Sequence, residues 1–277
     1  MPAKTRPTVC RLCGGPGPVL ESHILPDFFI RGLERQVATG KSGQTQPMSI
    51  LLSTRKEIKG GQRQRGHWEK QVGAKERLLC ADCEGRFSRY EKYFRELFYG
   101  NTPSLVKKLP IGNPLNMAGP PKSVSGLIEA REIKVDYKQF KLFVLSVLWR
   151  CSVASGSFFK RVSLGPHENR ISAMLLSENP ASATDYPICL TELQHNGNGL
   201  EDFIQQPDFG KDDGQRGYSI VFGGFLIAIY VASAGHRAPD PIEKFCLKTT
   251  GSLVLVSADA KPMLMWWARR LKSTGGL

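Results

Sequence analysis

The chain has no P-loop, no Gly-x-Gly-x-x-Gly fingerprint and no Gly-x-Ser-x-Gly elbow, which argues against nucleotide-dependent and serine-hydrolase chemistry. Its first residues, Met1-Pro2-Ala3-Lys4-Thr5-Arg6-Pro7, contain no apolar h-region, so no secretory signal is expected and the expected compartment is the reducing cytoplasm. Acidic residues are few relative to basic ones, with 25 Asp and Glu against 38 Lys and Arg and a net charge of +13. That surplus favours a polyanionic partner through long-range attraction and counterion release, with nucleic acid, DNA ahead of RNA, before an anionic surface. Internal repeats and low-complexity tracts are absent. The longest uncharged stretch, residues 217 to 235, is divided by Gly223-Gly224. Its arms are β-branched and aromatic, so it reads as a buried hairpin rather than a membrane span, and no membrane partner is expected.

At 277 residues and 41% hydrophobic content the chain can bury a substantial core. Seven cysteines are present, an odd number. Four of them form two Cys-x-x-Cys pairs, Cys10-Arg11-Leu12-Cys13 and Cys80-Ala81-Asp82-Cys83. Two intervening residues let both sulfurs of a pair reach one metal from a tight turn, and two such pairs complete a closed four-sulfur zinc site. The long insertion between Cys13 and Cys80 is tolerable because closure entropy grows slowly with loop length. Cys151, Cys189 and Cys246 sit apart in apolar surroundings and read as buried core thiols.

The pattern along the chain predicts an α+β fold. Cys10 to Pro18 is a Gly/Pro-rich knuckle, and Asp27 to Arg35 a short amphipathic helix that starts after Pro26. Residues 36 to 76 form a polar excursion, with one hairpin around residues 48 to 53 and a basic cluster of Arg55, Lys56, Lys59, Arg63 and Arg65. From Cys83 a helical pattern places Phe87, Tyr90, Phe94 and Leu97 on one face. Residues 1–110 are expected to be a zinc-binding domain, 111–125 a proline-rich linker, and 126–277 a mixed helix and antiparallel-sheet domain for recognition or partner binding. In the second domain the expected elements are a strand at 126–135, helices at 137–153 and near 168–176, and a strand at 186–193. The Gly223-Gly224 hairpin, a strand at 245–257 and a closing helix at 262–272 complete it.

Glu21-Ser22-His23-Ile24-Leu25-Pro26 and Leu78-Leu79-Cys80-Ala81-Asp82-Cys83-Glu84 resemble the zinc-stabilised HNH (ββα-metal, treble-clef-like) endonucleases. In these a Cys-x-x-Cys precedes a His-Ile-x-Pro-like segment and a second knuckle opens a helix. The resemblance covers residues 8 to 99. The chain is also similar to a group of bacterial proteins that share Ser-His-Ile-x-Pro, Leu-Leu-Cys-x-x-Cys-Glu and Ser-x-Tyr-Glu, into which Ser88-Arg89-Tyr90-Glu91 and Leu148-Trp149-Arg150 fit. Relative to the HNH pattern, Ser22 replaces a metal-ligand Asp or His, Lys75 stands at the Asn, and Glu84 at the helix His.

The resemblance implies a nuclease in which His23 is the general base, Glu84 and Glu91 hold a catalytic Mg or Mn ion, and the basic cluster holds backbone phosphates. Steps of four and seven residues put Ser88 and Glu91 on the same helix face as Glu84. It also implies a role such as an effector of bacterial anti-phage defence. A second reading stands beside it. Here the chain is a non-catalytic zinc module that binds nucleic acid or a protein partner through the C-terminal domain, with His23 bonded to the knuckle backbone and Glu91 paired with Arg95. His67, His167, His195 and His236 are read as surface residues, and Trp266 and Trp267 as core.

Overall fold

The computed structural model describes residues 8–29, 75–100, 127–156, 159, 161–195, 198–199, 205–212, 215–231 and 240–265. Two strands, β1 (Leu20–His23) and β2 (Lys75–Leu79), pair antiparallel, with Ser22 opposite Glu76 and His23 opposite Lys75. Helix α1 (Ala81–Tyr99) follows directly, its apolar positions at steps of three and four burying Cys83, Phe87, Tyr90, Phe94 and Phe98. Gly100, at φ 61°, ends it with its N–H on the Glu96 carbonyl.

The remaining elements are β3 (Leu127–Lys134), α2 (Tyr137–Val153), α3 (His167–Leu176), β4 (Ile188–His195), β5 (Asn198–Gly199), β6 (Gln205–Asp212), β7 (Gln215–Phe222), β8 (Phe225–Tyr230), the short α4 (Asp240–Glu243) and β9 (Ser252–Asp259). They build a mixed sheet in the order β3-β9-β4-β8-β7-β6, with β5 pairing β4. β4 and β9 run parallel and the other neighbours antiparallel. The protein is therefore of mixed α+β architecture. Gly223 and Gly224 form the β7–β8 turn with φ of 51° and 81°, the pair of positive values that a two-residue hairpin turn requires. No helix among the described residues is long and apolar enough to cross a membrane.

Helix α2 explains how the halves of the chain meet. Asp136 caps it, its Oδ1 accepting from the Gln139 N–H at 2.9 Å. Every residue from Phe140 to Cys151 is buried, because α1, α3 and the inner sheet face enclose the helix. Phe143 stacks on Phe94 of α1 with ring centroids 3.9 Å apart, Phe29 stacks on Phe222 of β7 at 4.4 Å, and Phe98 meets Phe225 of β8 at 4.9 Å. Segments from both sides of the expected linker thus share one apolar core, while residues 111–125 themselves lie outside the described residues.

Strand periodicity assigns the opposite residues to the other sheet face. Cys189 and Val256 pack there with Phe245 and Cys246, and Leu193 and Val221 with Ala260. Two expectations are corrected. The strand expected at 245–257 begins only at Ser252: residues before it form a turn, closed by Gly251 N–H to the Lys248 carbonyl at 2.9 Å and Lys248 N–H to the Ser252 carbonyl at 2.8 Å. β6 was not expected at all. Its sequence, Gln-Gln-Pro-Asp-Phe-Gly-Lys-Asp, contains a proline and a glycine, which a sheet tolerates at an edge, and β6 is an edge strand. The excursion around residues 48 to 53 and most of the helices expected at 27–35 and 262–272 lie outside the described residues; residues 27–29 and 261–265 are helical.

Candidate metal centre and the adjoining His23 site

The knuckle is a short backbone structure that turns two sulfurs to one side. Gly14 N–H reaches the Cys10 carbonyl at 2.9 Å and Cys10 N–H the Gly15 carbonyl at 3.0 Å, with Gly14 at φ 69°. Gly15 N–H approaches Cys13 Sγ at 3.4 Å, the N–H-to-sulfur contact that stabilises a thiolate. Arg11 N–H bonds the Leu78 carbonyl at 2.9 Å, fixing this turn beside the end of β2, from which Cys80 and Cys83 enter α1.

The four sulfurs of Cys10, Cys13, Cys80 and Cys83 all lie within 4.8 Å of one another, with Cys13 Sγ and Cys80 Sγ 3.9 Å apart. Tetrahedral zinc–sulfur bonds of about 2.3 Å put neighbouring sulfurs roughly 3.8 Å apart, so these cysteines lie close enough to hold an ion such as zinc. Cys10 and Cys83 are buried and Cys13 is exposed, so the centre sits at the edge of the core. Burial acts to raise the Cys10 thiol, but hydrogen bonds with the backbone of Cys13, Cys80 and Leu12 outweigh it and bring the thiol down to about 7. Burial and the neighbouring sulfurs push Cys83 up. A bound cation would reverse that balance by favouring all four thiolates, so ion binding releases protons.

His23 stands at the end of β1, its side chain 29% exposed, with Nε2 3.8 Å from Asp27 Oδ1. Burial, with Lys75 opposite, holds its imidazole below the ordinary histidine value against the opposing pull of Asp27 and Glu91, so it is neutral at pH 7. Beside it, fully buried Ser22 donates to Glu84 Oε2 at 2.6 Å, joining the hairpin to the first turn of α1.

The expected trio of His23, Glu84 and Glu91 is linked through other groups. Glu91 Oε1 is 2.7 Å from Arg150 Nη1, and the same nitrogen donates to the His23 carbonyl at 2.7 Å. Arg150 therefore takes the place expected for Arg95 as the partner of Glu91. Among the described residues, the four cysteines are the one group of three or more His, Cys, Asp or Glu side chains that converge closely enough for an ion.

Three participants were not foreseen as site residues. Arg150 is a fully buried cation in α2, as is Lys141, and a cation within the apolar run Leu142 to Cys151 was the available signal. Asp27 is found only once the chain turns after Pro26. Glu76 clamps the end of α2 onto β2, accepting from Ser155 N–H at 2.8 Å, Ser155 Oγ at 2.9 Å and Gly156 N–H at 2.8 Å. Of the other histidines, His167 is part-buried, with Nδ1 3.0 Å from Tyr186 Oη, and His195 lies 3.8 Å from Asp259 Oδ1. Arg55, Lys56, Lys59, Arg63, Arg65, His67, His236, Trp266 and Trp267 lie outside the described residues. No protein family, curated protein or solved structure matches the chain.

Proposed function

We propose that the chain is a zinc-stabilised, HNH-like nuclease that hydrolyses phosphodiester bonds of nucleic acid, with DNA the leading substrate and His23 the general base. The observation that carries this reading is the part-exposed imidazole at the end of β1, held by burial below its ordinary pKa, beside the Ser22–Glu84 bond that ties strand to helix next to the four-sulfur centre. A base must be unprotonated at working pH and within reach of solvent, and His23 meets both conditions. It takes a proton from water as the water oxygen bonds to phosphorus, and the P–O bond to the leaving oxygen breaks to free a hydroxyl end. Arg55, Lys56, Lys59, Arg63 and Arg65 would hold backbone phosphates, positioning the substrate without reading its sequence.

The residues present do not gather a three-ligand cage for Mg or Mn, because Glu91 is paired with Arg150. Such ions are commonly held by one or two carboxylates together with substrate oxygens and water, and Glu84 is the carboxylate that fits that arrangement. The ion would supply charge stabilisation at the leaving oxygen.

The engagement of Glu91 by Arg150 and of Glu84 by Ser22 favours a second reading, a non-catalytic zinc module that binds nucleic acid through its basic surface. Supercoiled-plasmid nicking in Mg or Mn distinguishes the two, with wild type compared against His23→Ala and Glu84→Ala. The nuclease reading expects His23→Ala to slow nicking by about 10²-fold or more. Nicking absent in every metal, or unchanged in His23→Ala, removes it. Salt-dependent DNA binding that persists without nicking supports the second reading.

A further inference from the structure

Cys189, the second residue of β4, and Cys246, in the turn after α4, come from segments 57 residues apart in the chain. Their sulfurs are 2.8 Å apart, closer than the 3.9 Å between Cys13 and Cys80 in the metal centre. Both thiols are free and buried. They lie in their own apolar cluster with Phe245 and Val256 on the outer sheet face, whereas Cys10 and Cys83 belong to the main core. No third metal-ligating side chain joins them among the described residues, so a resident cation does not explain the approach. Less than about 1 Å separates this arrangement from a covalent bond of about 2.05 Å.

We propose that Cys189 and Cys246 are a reversible dithiol–disulfide pair, closed by small oxidised disulfides of the glutathione class. Access is from the side of Cys246, which lines a hollow together with Thr184, Pro187, Glu243, Leu247 and Lys248. The contact with Cys246 and burial both hold the Cys189 thiol well above its ordinary value, so Cys189 keeps its proton and Cys246 is the attacking sulfur.

Cys246 Sγ attacks one sulfur of the small disulfide, breaking its S–S bond and expelling one thiolate, which takes up the Cys246 proton. Cys189 then gives up its proton, attacks Cys246 Sγ in the mixed disulfide, and expels the second thiol. Two protein thiols are oxidised and one small disulfide is reduced to two thiols. The bond pins the segment that carries α4 to the outer face of the sheet through β4.

The test is peptide mass mapping of the full-length chain after equilibration in glutathione buffers from fully reduced to fully oxidised, with acid quenching and alkylation in denaturant. A peptide pair joining Cys189 to Cys246 is expected to rise with the oxidised fraction, to exceed half of the chains in oxidised glutathione, and to disappear on reduction. In Cys189→Ser, the reaction should stop at a glutathione adduct on Cys246; in Cys246→Ser, Cys189 should stay unmodified. The proposal is overturned if wild type yields both residues as alkylated free thiols in oxidised glutathione. Cross-links that join either residue to the metal-centre cysteines in place of each other overturn it too.

Discussion

Truncating Glu91 is expected to destabilise the protein by about 3 kcal/mol. Arg150 is 1% exposed and Glu91 25% exposed, so the pair is a buried cation with a carboxylate open to water on one side. Two charges in close contact attract by about 4 kcal/mol at the dielectric appropriate to such a site. Leaving a buried charge without its partner costs roughly 3–5 kcal/mol. The lower end applies because water can reach the gap left by Glu91, and because the guanidinium keeps its bond to the His23 carbonyl and lies over the Phe87 ring at 5.4 Å.

Arg150→Met removes the charge itself. It leaves the His23 carbonyl without that donor, a loss of about 1–3 kcal/mol, while Glu91 turns to solvent. The double variant Glu91→Ala/Arg150→Met should therefore be more stable than Glu91→Ala alone by more than about 1 kcal/mol, since no orphaned cation remains. Urea denaturation followed by circular dichroism gives all four corners of this cycle. A loss below about 1 kcal/mol in Glu91→Ala, or strictly additive effects, would refute the assignment of Arg150 as a buried cation neutralised by Glu91.

Two glycines should respond in opposite directions to alanine. Gly251 has φ 78° and a Cβ there would lie 2.2 Å from the Val135 carbonyl oxygen, so Gly251→Ala should cost more than about 2 kcal/mol, read as a lowered urea midpoint. Gly85 lies in α1 with nothing within 4 Å of a Cβ, so Gly85→Ala should gain about 0.5–1 kcal/mol; a loss would contradict the open helical site. His23 should titrate below the ordinary value of about 6.5. Because its folded-state value is depressed, the unfolded chain binds the proton first as pH falls. The stability linked to His23 is thus full above about pH 6.5 and is lost toward its folded value. NMR titration with His23→Gln for assignment checks this, and a midpoint at or above 6.5 refutes it.

The local elements were legible where periodicity is strong. α2 matches its expected limits at 137 and 153, the α1 face of Phe87, Tyr90 and Phe94 is buried, and Gly223-Gly224 makes its turn. β6 was illegible because Pro207 and Gly210 mark loops, and only its edge position makes them compatible with pairing. The four metal-centre cysteines could be grouped because the spacing within each pair is a local signal. Arg150 as the partner of Glu91, and Cys189 as the neighbour of Cys246, depend on strand order and helix packing, which leave no trace in local spacing.

The four sulfurs of Cys10, Cys13, Cys80 and Cys83 join the knuckle to the end of β2 and the start of α1, close enough together to meet at one ion. Zinc K-edge absorption of purified protein tests it directly. The expected result is one zinc per chain with four sulfur scatterers at about 2.3 Å and no nitrogen neighbour. A folded, zinc-free chain, or a zinc with nitrogen or oxygen replacing one of the sulfurs, would contradict it.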